Sequence, residues 1–331
     1  MKKQYLVLLI CLAFFIQPSS AAVTMSFDNI VTKDNDTYLE INHIKLAGGT
    51  AEETAYALAK LGKNRYDAYL APFINESYGR EKMAYLASAD PLLGEMSDGI
   101  REAYGIAADN FSYDFTYPVY DSTGVACSAV YIPPALSANG HALAARNYDW
   151  YATPQTTYSR NNAILELYKD RGYDTLAITT KNLLSGILDG MNEKGLYVTI
   201  LTDHYGYTSN TPTYGGNSTG LHIELVLRSV LENCANVAEA KKRISDMENI
   251  ANPGMHLFVG DADGHAAVVD FDTQTAQPVF TETCGVPQIV TNHALRVQAP
   301  ANLSADPHDT FVRYGKLRDY FSTQEGPCSG R

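Results

Sequence analysis

"ACSAVYIPPALSANGHALAARNYDW", residues 126–150, reads as two β-strands joined by a turn. The first strand runs from Ala126 into Ile132 and the second from His141 into Tyr148, with the Asn139-Gly140 pair between them as the turn signal. Folding the second strand back on the first brings Arg146 beside Cys127. A guanidinium next to a thiol favours the thiolate, the reactive form. The stretch therefore poses a choice between a packed strand cysteine and a nucleophile.

Composition narrows the setting. The chain has 331 residues, 45% of them hydrophobic and 19% charged, which is enough to bury the core of one large domain or two small ones. Its net charge of −12 makes nucleic acid and anionic membrane surfaces poor partners. The start, "MKKQYLVLLICLAFFIQPSSAAV", has two lysines, an apolar run and small residues ending at Ala21, the pattern of a secretory signal over residues 1–21. No other run approaches the roughly 20 apolar residues of a membrane span, so no stable membrane anchor is expected. Export places the chain in the periplasm or outside the cell, where disulfides are permitted. Of Cys127, Cys234, Cys284 and Cys328, Cys234 sits on a helical pattern as a small hydrophobe, while pairing of Cys284 with Cys328 stays open. No CxxC motif supports a zinc or redox site.

Periodicity divides the chain. Residues 45–110 place Ala, Leu, Ile and Tyr at helical spacing. After Asp121 come short β-rich runs: "ACSAVYIP", "HALAARNY", "DTLAITT" and "GLYVTILT". A helical pair follows over 221–233 and 237–247, with Asn236 as N-cap, then a hairpin turning at Asp263-Gly264, two more strands, and a late helix in "DPHDTFVRYGKLRDYF". The order implies an α+β fold of antiparallel sheets covered by helices. Asp261-x-Asp263-Gly264 shares its opening with a calcium loop, but that loop's sixth-position glycine and twelfth-position glutamate are replaced by Ala266 and Asp272, so a hairpin turn is the reading. "YGGNSTG", Tyr214–Gly220, lacks the ending of a phosphate loop. Asn192 and Glu193 in "GMNEKGL" read as a turn.

A cysteine nucleophile needs a base. None of the eight histidines lies in an HExxH or papain-type setting. The alternative base is an α-amino group, whose ordinary pKa is about 8. Cleavage between Ala126 and Cys127 would supply nucleophile and base in one residue, with Asp149 placed to orient the ammonium.

Taken with "RNYD" (146–149), "DGMNEKGL" (189–196), Thr291-Asn292 and Arg313, Cys127 resembles the nucleophile of the N-terminal-nucleophile hydrolases in the choloylglycine hydrolase and linear amide C–N hydrolase superfamily. The likeness covers roughly Glu95 to Phe321, and the segment before the cysteine is similar to the isopenicillin-N acyltransferase type. The resemblance implies a four-layer αββα sandwich. It implies that Arg146 steadies the nucleophile, that Asp149 binds the free amine, that Asn292 and the backbone N–H near Thr202 form an oxyanion hole, and that Arg313 organises the site. Relatives commonly have Asn where this chain has Thr202, and they usually continue past the position of Arg331 into further strands.

The expectation is then an exported, self-processing cysteine amidohydrolase: a signal at 1–21, a largely helical prosegment at 22–126 and a catalytic region at 127–331. It would cleave a small-molecule N-acyl amide through an acyl-enzyme on Cys127, with no cofactor or metal and with homo-oligomerisation open. An acyltransferase with the same nucleophile and an inactive secreted binding module are the alternatives.

Overall fold

A computed structural model describes residues 23–31, 41–72, 75–114, 125–150, 163–179, 186–205, 219–250, 252, 254–272, 274–303, 306 and 309–322. The expected signal at 1–21, most of the Tyr214–Gly220 loop and Cys328 lie outside them. The chain opens with strands β1 (Thr24–Val31) and β2 (Ile41–Ala47), followed by helix α1 (Ala51–Arg65), the short strand β3 (Ala71–Pro72), helices α2 (Glu76–Ala89) and α3 (Pro91–Tyr104), and β4 (Tyr113–Asp114), which pairs with β3. Local chemistry sets the helix ends. Thr50 and Glu53 form a reciprocal capping box at the start of α1, and α3 begins with Asp90 as N-cap and Pro91 in the first turn. Gly105, at φ 70°, ends α3 in the left-handed conformation that glycine adopts without cost.

After Cys127's strand, β5 (Val125–Ile132), come β6 (Leu143–Trp150), β7 (Ala163–Tyr168), β8 (Thr175–Thr179), β9 (Asp189–Asn192) and β10 (Tyr197–Thr202). Helices α4 (Ile223–Asn233) and α5 (Val237–Asp246) follow, then β11 (Met255–Gly260), β12 (His265–Phe271), β13 (Pro278–Cys284), β14 (Gln288–Val290) and α6 (Thr310–Ser322). The expected N-cap is present: Asn236 accepts the Glu239 N–H at 3.0 Å. Asp261 ties the β11–β12 turn by accepting the N–H groups of Asp263 and His265 and also that of Val237 at the start of α5, so its carboxylate serves as a turn and helix cap.

Two sheets form. The larger has nine strands in the order β1-β2-β7-β8-β9-β10-β11-β12-β13, and the smaller is β14-β5-β6. The pairings in both are antiparallel except β2 with β7, which is parallel over Asn42–Ala47 and Ala163–Tyr168. That pairing departs from the all-antiparallel expectation. Strands β1 and β2, absent from the helical reading of the early chain, bring the residues before Cys127 into the main sheet. β2 alternates buried and half-buried side chains, presenting Asn42, Ile44 and Leu46 to the helices.

Alternation along the central strands builds two cores. Leu257, Val259, Ala267 and Val269 face α4 and α5 in one, while Phe258, Ala266 and Val268 meet Cys127, Ala129, Tyr131 and Val290 of the smaller sheet in the other. Gly260 permits the close approach of the sheets: a Cβ there would lie 2.5 Å from the Tyr131 ring. With α6 packed on β5 and β14, the layers run helices, large sheet, small sheet, helix, the αββα order.

Candidate active site

β5 presents alternate residues to its two sides. Cys127 belongs to the inter-sheet core and is 0% exposed, whereas Ser128 accepts a hydrogen bond from Arg313 of α6 at 2.7 Å. The β5–β6 hairpin sets Arg146 opposite Ala129, two residues from Cys127 and on its face. Arg146 Nη2 accordingly donates to Cys127 Sγ at 3.4 Å.

The same guanidinium is anchored from behind. Its Nη1 donates to Asp189 Oδ2 at 2.6 Å, and the Tyr148 ring lies 4.6 Å from its carbon. Burial by itself would favour neutral Arg146, but Asp189 and Cys127 outweigh it and raise its pKa. Asp189 opens the "DGMNEKGL" stretch, where no local pattern assigns it a role; its one signal is that motif, and its contact depends on a partner 43 residues away.

Asn292 joins the cysteine from the loop after β14, which reaches the site because β14 pairs with β5. Its Oδ1 accepts the Cys127 backbone N–H at 2.5 Å and Arg313 Nη2 at 2.7 Å. Its Nδ2 donates to the Thr202 carbonyl at 2.8 Å, which uses one of two amide hydrogens. The Asn292 peptide is held as well: its N–H donates to Thr310 Oγ1 at 2.7 Å, and its carbonyl accepts the His204 N–H at 3.0 Å. Arg313 completes the enclosure by donating to the Cys127 carbonyl. Ser128 and Thr310, which sequence reasoning passed over, are ordinary hydroxyl residues with no local pattern to mark them.

Cys127, Arg146, Asn292 and Arg313 thus meet directly. Thr202 joins them through its carbonyl, hydrogen-bonded to Asn292. Asp149 stands opposite Ala126, is exposed, and accepts both bonds of Asn147 Nδ2 at 3.0 Å. Strand alternation puts it on the other side of β6 from Arg146 and Tyr148. The chain is described uncut, so the Cys127 nitrogen is an amide with a single hydrogen, and Asn292 takes it. Cys234 is buried, and burial pushes its thiol up to about 12, while Cys284 is a free, exposed thiol.

The family model for acyl-coenzyme A:6-aminopenicillanic acid acyl-transferase matches residues 136–327, a span that takes in Arg146, Asp149, Thr202, Asn292 and Arg313 and begins just after Cys127. Curated proteins offer no match. Among solved structures, penicillin V acylase from Agrobacterium tumefaciens is similar at 19% identity, covering 61% of this chain and 51% of that one with a TM-score of 0.31. A mutant conjugated bile acid hydrolase from Clostridium perfringens is 19% identical over 60% of this chain and 74% of its own, with a TM-score of 0.40. The N-acylethanolamine-hydrolyzing acid amidase ortholog of Caenorhabditis elegans is 15% identical over 59% and 79%, with a TM-score of 0.43. The chain spans about half the length of the penicillin V acylase. Because the model match takes in more than half of the chain, this protein belongs to the acyl-coenzyme A:6-aminopenicillanic acid acyl-transferase family, among the N-terminal-nucleophile hydrolases.

Proposed function

We propose that the protein is an exported amidohydrolase that activates itself by cleaving before Cys127 and then hydrolyses N-acyl amides through that residue. One observation carries the reading: groups from β6, the loop after β14 and α6 converge on the thiol, nitrogen and carbonyl of a single buried cysteine. Packing alone does not require two arginines and an asparagine on one residue. Export rests on the sequence of residues 1–21.

Self-cleavage would begin with Sγ attacking the Ala126 carbonyl, transferring the acyl group from nitrogen to sulfur. Water then releases residue 126 as a carboxylate and leaves Cys127 with a free α-amine. In turnover the amine accepts the thiol proton as Sγ attacks the substrate amide and returns it to the leaving amine. The second hydrogen on Asn292 Nδ2 would meet the developing oxyanion, a bond of a type worth a few kcal/mol in the transition state. A backbone N–H near Thr202 would be its companion. Asp149, next to the new terminus, would hold the ammonium once the peptide before Cys127 is gone. Arg146 would hold Sγ in place.

For the acyl group, the sheet offers an apolar strip. Ile178 pairs with Asp189 and Leu176 with Met191, and all three apolar side chains are at least 41% exposed on the part of the large sheet away from β12 and β13. The strip starts one strand from the Arg146 partner. A second reading, acyl transfer to an amine in place of water, draws on the description of the matched family. Both share the nucleophile and differ in what releases the acyl-enzyme.

The test is intact mass and N-terminal sequencing of purified wild type beside Cys127→Ala. A wild-type fragment beginning at Cys127 that is absent from the variant supports the reading. A folded, uncut wild type whose Cys127 resists a thiol probe would sink it. Partition of the acyl group between water and added amine separates hydrolase from transferase.

A further inference from the structure

Thr291, the neighbour of Asn292, directs its carbonyl into a buried charged cluster with no part in the chemistry above. His256 of β11 is fully buried, with Nε2 2.7 Å from the Thr291 carbonyl oxygen and Nδ1 3.2 Å from Asp270 Oδ1 on β12. Asp203, at the end of β10, completes the group: one ligand atom from each of the three residues lies within 4.8 Å of the others.

The hydrogen-bond inventory fixes one proton and points to the second. A carbonyl oxygen only accepts, so Nε2 carries a hydrogen. Asp270 Oδ2 accepts the Leu295 N–H at 3.2 Å, and Asp203 Oδ1 accepts the N–H groups of Tyr205 and Ala294 at 2.9 and 3.2 Å. Both carboxylates accept backbone N–H groups, and Nδ1 of His256 faces Asp270 Oδ1 as a donor would. Burial opposes the charge, but Asp270 and Asp203 outweigh it and raise the pKa of His256. From the loop after β14, His293 also faces the cluster; burial and His256 push it down to about 4, against the opposing pull of Asp306 and Asp270 and with a smaller push from Arg313.

We propose that His256 is a positioning residue: a standing imidazolium, clamped between Asp270 and the Thr291 carbonyl, that fixes the adjacent Asn292 amide against Cys127. The role in turnover rests on the reading of Cys127 as nucleophile, whereas the charge state and the fixing of Asn292 do not.

Nitrogen-15 spectra of the uncut Cys127→Ala protein, recorded from pH 5.5 to 8.5, test the charge directly, with the His256 signals assigned by their loss in His256→Gln. Two protonated ring nitrogens throughout are expected. A bare ring nitrogen at pH 7 overturns the proposal. In the same samples the Asn292 side-chain amide signal is expected to shift in His256→Leu and to return toward its original position in His256→Gln, whose amide still donates; no shift in the leucine variant also overturns it. In active enzyme, His256→Leu should lower kcat about 10- to 100-fold with little change in KM, as for loss of a buried hydrogen-bonded partner. Asp270→Asn should add a loss of kcat on the alkaline side near neutral pH as His256 becomes free to deprotonate. A profile identical to wild type counts against the proposal. If wild type neither cuts itself nor turns over amides, the nucleophile reading fails while the two spectra still decide the His256 claim.

Discussion

The residues before Cys127 and those from it onward share one large sheet but contribute different things to the molecule. The earlier part supplies β1, β2 and three helices, and its largest fully buried side chains are mainly apolar, Ile44, Leu46, Leu58 and Leu86 among them, with Lys82 as the charged exception. The later part supplies every described group that touches Cys127, and its interior admits charge: Arg146 with Asp189, Arg228 with Glu232, His256 with Asp270. Apolar burial is tolerant of small shifts because it is non-directional. Buried ion pairs are not, since each partner needs the other in place. The part that could be separated by a cut is therefore joined mostly by forgiving contacts, with Asp90 to Arg243 at 2.7 Å and Lys82 to the Gly220 carbonyl at 2.8 Å among its exacting ones, while the surroundings of Cys127 are held by exacting contacts.

The sharpest way to break this contrast is Arg146→Met. It keeps much of the side-chain bulk but leaves Asp189 buried without its cation, at an expected cost of about 3–5 kcal/mol, together with loss of self-cleavage. Urea unfolding with the same midpoint as wild type would show that the pair is not needed for stability. Ile44→Ala probes the other part: it removes a fully buried side chain of β2, with an expected loss of about 2–5 kcal/mol. Turnover per folded molecule should be unchanged, and a fall in kcat would mean that β2 reaches the site after all.

Acid titration gives a smaller, graded effect. His222 is buried at the start of α4, accepts the Glu224 N–H there, and is pushed down to about 3 by burial and by Lys82. The folded protein keeps it neutral while the unfolded chain protonates it below about pH 6.5. Stability should therefore drop by about 1.4 kcal/mol per pH unit as the pH falls from 6.5 toward 3, and His222→Asn should remove that share of the slope in urea titrations. Smallest is Asn236→Ala at the α5 cap, expected to cost about 1 kcal/mol by thermal melting with no change in turnover.

Legibility in the sequence followed the range of the interactions. The β5–β6 hairpin was readable because Asn139-Gly140 and two β-rich runs lie within 25 residues, and the closeness of Arg146 to Cys127 came with it. The α5 cap was readable from Asn236 alone. Asn292 was assigned through resemblance, since its contact spans 165 residues and depends on β14 pairing with β5. β2 escaped notice despite the alternation in "INHIKLA", because its parallel partner more than a hundred residues away leaves no turn signal, and β1, which pairs only with β2, went with it. At Thr202 the residue was found, but whether its N–H or its carbonyl faces Asn292 is a matter of strand register that composition does not encode.

The parallel pairing of β2 with β7 also determines how the protein would come apart. In an uncut chain, melting is a unimolecular event and indifferent to concentration. Once the bond before Cys127 is broken, the same six-residue register joins two separate polypeptides, and melting becomes a dissociation whose midpoint climbs with protein concentration. Dilution, harmless to the precursor, would then act on the mature enzyme as a denaturant.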